Sequence, residues 1–171
     1  MPVTVETGLW QLDPTASAVA LRHKTMWGLV TVKGTFAGVT GRGEVAADGT
    51  ATGSLAIDAA SLDTRNKKRD DHLRSADFFD AANHPEITFA VRGAVRGASD
   101  AVDVDGQLTV RGISRPQKIT AKLVSADADG LTLEAEFTVD RNEFGMGWNQ
   151  GGMIRGLTTV TGTLRFTRAA A

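Results

Sequence analysis

Several acidic and imidazole side chains that could bind a metal cluster in one segment. Asp70-Asp71-His72 is followed closely by Asp77 and Asp80. Carboxylate oxygens and imidazole nitrogens are common ligands of divalent cations, so this group could serve a metal-dependent enzyme acting on a lipid. Lysines and arginines are interspersed in the same segment, which is typical of a solvated helix face. We favour the solvated face and keep the metal-dependent enzyme as an alternative.

His23 and Arg141 could carry a second kind of chemistry, because each continues an apolar face. His23 alternates with Val19 and Leu21, and Arg141 extends the alternation that runs through residues 131–139. A buried polar group without a partner costs about 1–3 kcal/mol, so both side chains need hydrogen-bond partners. Either the protein itself supplies those partners, or the two side chains anchor the polar head of an apolar ligand.

The glycine-rich run Phe144–Ile154 carries large apolar side chains, Trp148 among them, that no regular element could bury together. Adaptable methionine beside rigid aromatics suits a loop that closes over a pocket. A loop that merely completes the core is an equal alternative. Nucleophilic hydrolases find no support, since there is no Gly-x-Ser-x-Gly elbow and no cysteine.

The elements that must position these residues are short strands. About eight runs alternate apolar and polar residues with a period of two, as half-buried strands do. Turn-forming residues separate them at 47–49, 98–100 and 127–130, and we also interpret Gly38–Gly43 as a turn. Even spacing of this kind predicts one all-β domain over residues 1–171, an antiparallel barrel or sandwich.

One segment interrupts the strands. Thr64 is a suitable N-cap for a short polar helix over residues 65–74, and Asp70 with Arg74 is predicted to form an i,i+4 pair. The apolar Leu73 lies near the end of this helix, and Phe78 and Phe79 follow it; we call these three residues the aromatic plug. The sequence therefore predicts a short helical insertion near 65–80.

Composition limits the function classes. The 171 residues carry 19 Lys+Arg and 20 Asp+Glu, a formal charge of −1, which argues against binding to nucleic acid. Without cysteine, disulfides and thiolate sites are excluded. No basic and apolar leader and no run of about 20 apolar residues is present, so we expect a cytoplasmic protein without an integral membrane segment.

Ordered motifs resemble those of a known family. They include Trp10-Gln-Leu-Asp13, the segment from Arg69 to Asp80 (RDDHLRSADFFD), Pro85-Glu-Ile-Thr-Phe89 and Arg141-Asn-Glu-Phe-Gly145. The chain resembles the YceI-like family, the lipocalin-like polyisoprenoid-binding proteins, from Trp10 to Phe166. It departs from the family pattern at Ala16, where relatives usually carry histidine.

The resemblance implies an eight-stranded antiparallel lipocalin-like barrel with an apolar tunnel. It also implies a polyisoprenoid ligand, such as an isoprenoid quinone or its precursor, that is transported, stored or sequestered. The family brings no catalytic residues and no cofactor, and it favours a homodimer. A packed barrel that acts as a stress or interaction module without a ligand is the remaining alternative.

We expect the inward residues of the strands, the aromatic plug and the glycine-rich loop to line the tunnel, with His23 and Arg141 as polar-head residues. The predicted ligand-binding set is Val19, Leu21, His23, Phe36, Leu55, Ile57, Leu73, Phe78, Phe79, Phe89, Leu108, Leu133, Phe137, Arg141, Phe144 and Trp148.

Overall fold

Alternating apolar and polar residues form strands throughout the protein, as their period of two predicts. The computed structural model describes residues 7–146, 152 and 154–169. The strands within these residues are β1 (Gly8–Leu12), β2 (Ala18–Thr25), β3 (Val30–Phe36), β4 (Val39–Val45), β5 (Ala51–Asp58), β6 (Leu62–Asp63), β7 (Glu86–Arg96), β8 (Ala101–Val110), β9 (Ile113–Ala126), β10 (Gly130–Val139) and β11 (Arg155–Arg168).

Eight of these strands close into an antiparallel barrel, in the order β1-β4-β5-β7-β8-β9-β10-β11. The ring is completed where β11 returns to β1, with Trp10 opposite Arg168. The strands β2, β3 and β6 extend the sheet from the other half of β11, where Val160 lies opposite Leu21. The predicted eight-stranded barrel is confirmed.

The long strand β11 pairs with β1 and β2 in succession, because the chain is interrupted between them at residues 13–17. The backbone N–H of Arg165 donates to the Ser17 hydroxyl (2.9 Å), and its carbonyl accepts from the backbone N–H of Asp13 (2.7 Å). These bonds satisfy β11 where no regular ladder runs beside it.

The prediction of a turn over Gly38–Gly43 is wrong, since most of this segment belongs to β4. Gly41 and Gly43 lie within this strand and do not bend the chain. A Cβ on Gly41 would lie 2.5 Å from Leu55 Cδ2 and 3.0 Å from the Ser54 carbonyl oxygen, so Leu55 would have to move to make room for it. The other predicted turns do separate strands, at 46–50, 97–100 and 127–129.

The helical insertion is present as α1 (Lys67–Arg74), but its predicted cap and ion pair are wrong. Asn66 is the N-cap, and its side-chain oxygen accepts from the backbone N–H of the third helical residue (3.1 Å). Thr64 instead donates its hydroxyl to the buried Asp70 carboxylate. Arg74 therefore turns away from Asp70, and its guanidinium donates to the carbonyls of Ala60 (3.0 Å) and Leu62 (2.8 Å).

The interior contains two apolar clusters that follow one another along the barrel axis. The larger contains Phe36, Phe89 and Phe144, and the smaller surrounds Trp10 and Leu123. In the described residues, no helix has both the length and the apolar character needed to cross a bilayer.

Candidate ligand-binding cavity

The strands enclose a cavity of about 270 Å³ whose wall is almost wholly apolar. One water molecule needs roughly 10–15 Å³, so the interior is hollow on the scale of many waters. The predicted residues that line it are Val19, Leu21, Phe36, Leu55, Ile57, Phe79, Phe89, Leu108, Leu133, Phe137 and Arg141.

Four predicted site residues lie outside the wall. Phe144 and Phe78 are buried in the core, with 1% and 7% of their surfaces exposed, and Leu73 packs against the same core. These three side chains do not line the cavity, because the α1 segment and the 3₁₀ helix at 141–144 use them to attach themselves to the barrel. Their assignment as ligand-binding residues stays a prediction. His23 is half-buried behind the wall. Trp148 lies outside the described residues.

Sequence reasoning missed several wall residues, although the same alternation marked most of them. Trp10 stands apart from the others, because it lies on the five-residue strand β1 and only its family motif drew attention to it. The missed apolar wall residues are Trp10, Val45, Ala51, Ile87, Val91, Ala94, Val102, Val104, Val110, Ile119, Ala121, Leu131, Ala135, Val139, Met146, Val160, Leu164 and Phe166.

Small inward residues create much of the space. Gly43 and Gly53 lie directly opposite each other on β4 and β5, so the wall there is bare backbone. On β11, Gly162 leaves open space beside the strand, since a Cβ at this position would meet no atom closer than 3.9 Å. A side chain at position 162 would therefore project into open space within the cavity.

Arg141 is a charged side chain in this apolar wall, and its residue is only 8% exposed. It begins the 3₁₀ helix Arg141–Phe144, which Asp140 caps by accepting from the Asn142 N–H (3.0 Å). The guanidinium Nη1 donates to the Met146 carbonyl, while the Met146 N–H donates back to the Arg141 carbonyl (3.1 Å). This closed pair of bonds holds the cation at what we call the Arg141 end of the cavity.

Burial lowers the pKa of the Arg141 guanidinium, because desolvation disfavours its charged form, and neighbouring Asp140 opposes that effect. Arginine nevertheless stays protonated near neutral pH. The cavity thus has a permanent positive charge at one end of an apolar wall.

His23 acts on the cavity through Thr158, which does line it. The ring Nδ1 of His23 lies 2.7 Å from Thr158 Oγ1. The hydroxyl is thereby oriented at the same end as Arg141, within the inward series Thr158, Val160 and Gly162. His23 is therefore placed to position a wall hydroxyl and does not itself reach the wall.

Phe36 and Phe79 form the aromatic part of the wall, with ring centroids 5.9 Å apart in an edge-to-face arrangement. The segment that carries Phe79 is tied to the loop after the 3₁₀ helix by Arg111. Its guanidinium donates to the carbonyls of Ala76 (3.0 Å) and Gly145. One arginine thus joins two segments that close the Arg141 end.

The residues of the alternative metal site have separate partners. Asp70 accepts from the backbone N–H and the hydroxyl of Thr64, Asp71 pairs with Arg74 (3.4 Å), and His72 Nε2 lies 2.8 Å from Asp77. Among the described residues, no three His, Asp or Glu side chains are grouped so that they could hold a metal ion.

Comparison with known proteins agrees with this architecture. The family model for the YceI-like domain matches residues 10–166, nearly the whole chain. The chain belongs to the YceI-like domain family.

Relatives of this YceI-like chain include Protein YceI of Escherichia coli O157:H7, which is 38% identical over 76 residues. That match covers 44% of the chain and 39% of the relative. A UPF0312 protein of Pectobacterium atrosepticum is 34% identical over 96 residues, covering 53% of the chain and 50% of the relative. The chain thus matches at most half the length of these curated relatives.

Two solved structures share the YceI-like fold. BcnA of Burkholderia cenocepacia has a TM-score of 0.81 at 21% identity, covering 90% of this chain and 98% of BcnA. A polyisoprenoid binding domain from Saccharophagus degradans has a TM-score of 0.76 at 17% identity, covering 96% of this chain and 100% of that domain.

Ala16, where the chain departs from the family pattern, lies on the exposed surface and does not line the cavity wall.

Proposed function

We propose that this protein binds a long polyisoprenoid chain in its cavity and serves in the transport, storage or sequestration of that lipid. The observation that carries the proposal is the apolar cavity with one buried cation at its end. Membership of the YceI-like family supports it. So does the shared fold of the polyisoprenoid binding domain from Saccharophagus degradans.

Transfer energetics set the length of chain that such a wall can retain. Burial of one methylene is worth about 0.8 kcal/mol, so a five-carbon isoprene unit gains roughly 3–4 kcal/mol. Association and ordering of the ligand cost about 4–15 kcal/mol. One or two units therefore cannot hold the ligand, whereas about four or more can. Affinity should rise steeply with prenyl length.

A polar head group fits the Arg141 end. The guanidinium supplies a positive charge and the Thr158 hydroxyl supplies a further polar group, so an oxygen-bearing head is favoured. An isoprenoid quinone or its precursor has such oxygens and an apolar tail, and we propose this class as the ligand. The tail would then point toward Trp10 at the far end.

The proposed role is binding and not catalysis. A metal-dependent enzyme would use Asp70, Asp71 and His72, yet each of these residues is bonded to a different partner. The hollow interior likewise disagrees with the alternative of a barrel filled by its own side chains.

Native mass spectrometry of the protein purified without detergent, followed by mass spectrometry of its organic extract, tests the proposal. We expect one prenyl lipid per binding site. Reconstitution with geranyl, farnesyl and octaprenyl quinones should give tight binding only for the long chain. Equal affinity across the series, or no uptake of any member, would refute the proposal.

A further inference from the structure

The tip of the β2–β3 hairpin exposes large apolar side chains side by side. Leu29 is 86% exposed, and Met26, Trp27 and Val30 are 43%, 49% and 45% exposed. Scattered surface leucines are ordinary, but four large apolar residues among five consecutive positions form a patch of the kind that marks an interaction site. We call residues 25–30 the hairpin tip.

All the charged residues of the hairpin that carries the tip are basic. Between Ala18 and Phe36 it contains Arg22, Lys24 and Lys33 and no aspartate or glutamate. Lys24 and Lys33 are exposed, and Lys24 lies one residue before the tip. Arg22 pairs with Glu136 of β10 (3.0 Å), so the two lysines supply the cationic rim of the apolar patch.

The tip extends beyond the Arg141 end of the cavity. His23 is bonded to the wall residue Thr158, and the strand pair continues past it to Thr25 opposite Val30. Leu21 is the last wall residue of this hairpin, and four residues of about 3.3 Å each lead from it to Thr25, so the tip begins roughly 13 Å beyond the wall. A flat surface that contacted the tip would face the end of the cavity that carries the buried cation.

We propose that the hairpin tip docks this end of the barrel on a bilayer surface that contains anionic phospholipid. Tryptophan and flanking lysines are the residues that membrane interfaces favour, and an exposed leucine can enter the acyl boundary beside them. Lys24 and Lys33 complement the negative charge of the lipid head groups.

A second copy of the chain suits the tip less well. The exposed area of its four apolar side chains is roughly half of the about 800 Å² that each partner contributes to a standard interface. Two hairpins with the same basic rim would also repel each other. A bilayer has no such size requirement, and its anionic lipids attract the rim.

Leu29 is the position to substitute, because its backbone is ordinary (φ −82°, ψ −23°), whereas Met26 and Trp27 have positive φ and a change there would also alter strain. Leu29→Ser is compared with Leu9→Ser. Leu9 is 50% exposed and lies opposite Glu44, near the other end of the barrel. A double variant, Lys24→Gln with Lys33→Gln, tests the basic rim. The control is a second double variant on β9, Lys118→Gln with Lys122→Gln.

The assay is sedimentation with vesicles of phosphatidylcholine, with and without phosphatidylglycerol. We expect the wild type to bind the anionic vesicles and Leu29→Ser to lose about tenfold in partitioning, with Leu9→Ser unchanged. The double variant Lys24→Gln, Lys33→Gln should lose the preference for phosphatidylglycerol. The control double variant on β9 should keep it. Equal partitioning of both leucine variants, or no wild-type binding to anionic vesicles, would overturn the inference.

Two further measurements distinguish membrane docking from dimerisation and from ligand binding in the cavity. Light scattering would reveal a dimer that Leu29→Ser dissociates, which would assign the tip to a second copy and overturn the docking proposal. Binding of octaprenyl quinone without vesicles should be the same in wild type and Leu29→Ser. Failure of that binding would refute the proposed function alone, because vesicle docking does not require a ligand in the cavity.

Discussion

The ring of Phe89 occupies the space that a side chain on Gly106 would need. A Cβ at Gly106 would overlap with Phe89 Cζ and lie 2.8 Å from the carbonyl oxygen of Ala90. Because Phe89 lines the cavity, its position depends on glycine in the neighbouring strand.

Gly106→Ala should therefore destabilise the barrel by about 1–3 kcal/mol, the usual cost of overpacking a core. Gly93→Ala is the matched control, since a Cβ there would have no atom within 4 Å. Urea unfolding measures both variants. A Gly106→Ala protein as stable as Gly93→Ala would contradict the account of Phe89.

Gly162→Leu should fill the cavity without disturbing the strand. A Cβ at this position would meet only the Ala18 carbonyl oxygen at 3.9 Å and Leu164 Cγ at 4.0 Å, so the longer side chain extends into open space. We expect at least a tenfold loss in affinity for an octaprenyl quinone, or about 1.4 kcal/mol. Thr163→Leu, at an exposed position one residue along, should bind as the wild type does. Unchanged binding by Gly162→Leu would place the ligand elsewhere.

Arg141→Met should remove the discrimination between a prenyl quinone and a prenyl hydrocarbon, because the buried positive charge is lost while the apolar wall remains. The Met146 carbonyl also loses its partner, which costs about 1–3 kcal/mol in the free energy of unfolding. Arg115→Met is the control, since Arg115 is exposed and donates to the Glu143 carbonyl at 3.2 Å outside the wall. Retained discrimination in Arg141→Met would exclude Arg141 as a head-group residue.

Asp70→Ala should destabilise the protein by about 1–3 kcal/mol, because the backbone N–H and hydroxyl of buried Thr64 lose their acceptor. The exposed neighbour substitution Asp71→Ala should cost about 0.5 kcal/mol or less. Denaturant midpoints compare the two. Equal midpoints would mean that the Thr64–Asp70 bonds contribute little to the fold.

Thr50→Val should raise the pKa of Asp48 toward its ordinary value of 3.8. In the native protein the Thr50 hydroxyl (2.7 Å) has the largest effect on this pKa and the Thr50 N–H (3.0 Å) the next largest. Both lower it by donating hydrogen bonds to the carboxylate. A lowered folded-state pKa means that the carboxylate stabilises the fold above its unfolded pKa and loses this effect as pH falls through the folded value. NMR titration of Asp48 measures the shift, and Thr15→Val should leave it unchanged. A Thr50→Val protein whose Asp48 titrates as in the wild type would contradict the assignment to the hydroxyl.

Period-two alternation was sufficient to predict the strands and most of the wall, because inward and outward positions are read directly from it. It could not show that the interior is hollow, since packed and hollow barrels alternate alike. The space depends on small inward residues such as Gly43 and Gly162 that carry no periodic signal. The predictions of a homodimer and a cytoplasmic location stay predictions.

The sequence predictions were least accurate where several local arrangements were equally compatible with the sequence. Thr64 and Asn66 are both good N-caps, and only the buried Asp70 decides that Thr64 bonds elsewhere. Arg141 was placed by extending an alternation beyond its strand, and the structure does bring it to the wall through a 3₁₀ turn. His23 lay on an extended alternation too, yet it stops behind Thr158.

The pairing of β1 with β11 has a consequence for how the protein is made. The two strands that complete the ring are separated by nearly the whole described chain, so the ring is a long-range contact of high entropic cost. During synthesis, β1 emerges long before its partner and must leave one edge open. Until β11 arrives, the nascent protein exposes the edges and apolar faces that make unfinished sheets aggregate, so chaperone protection should be needed until β11 has left the ribosome.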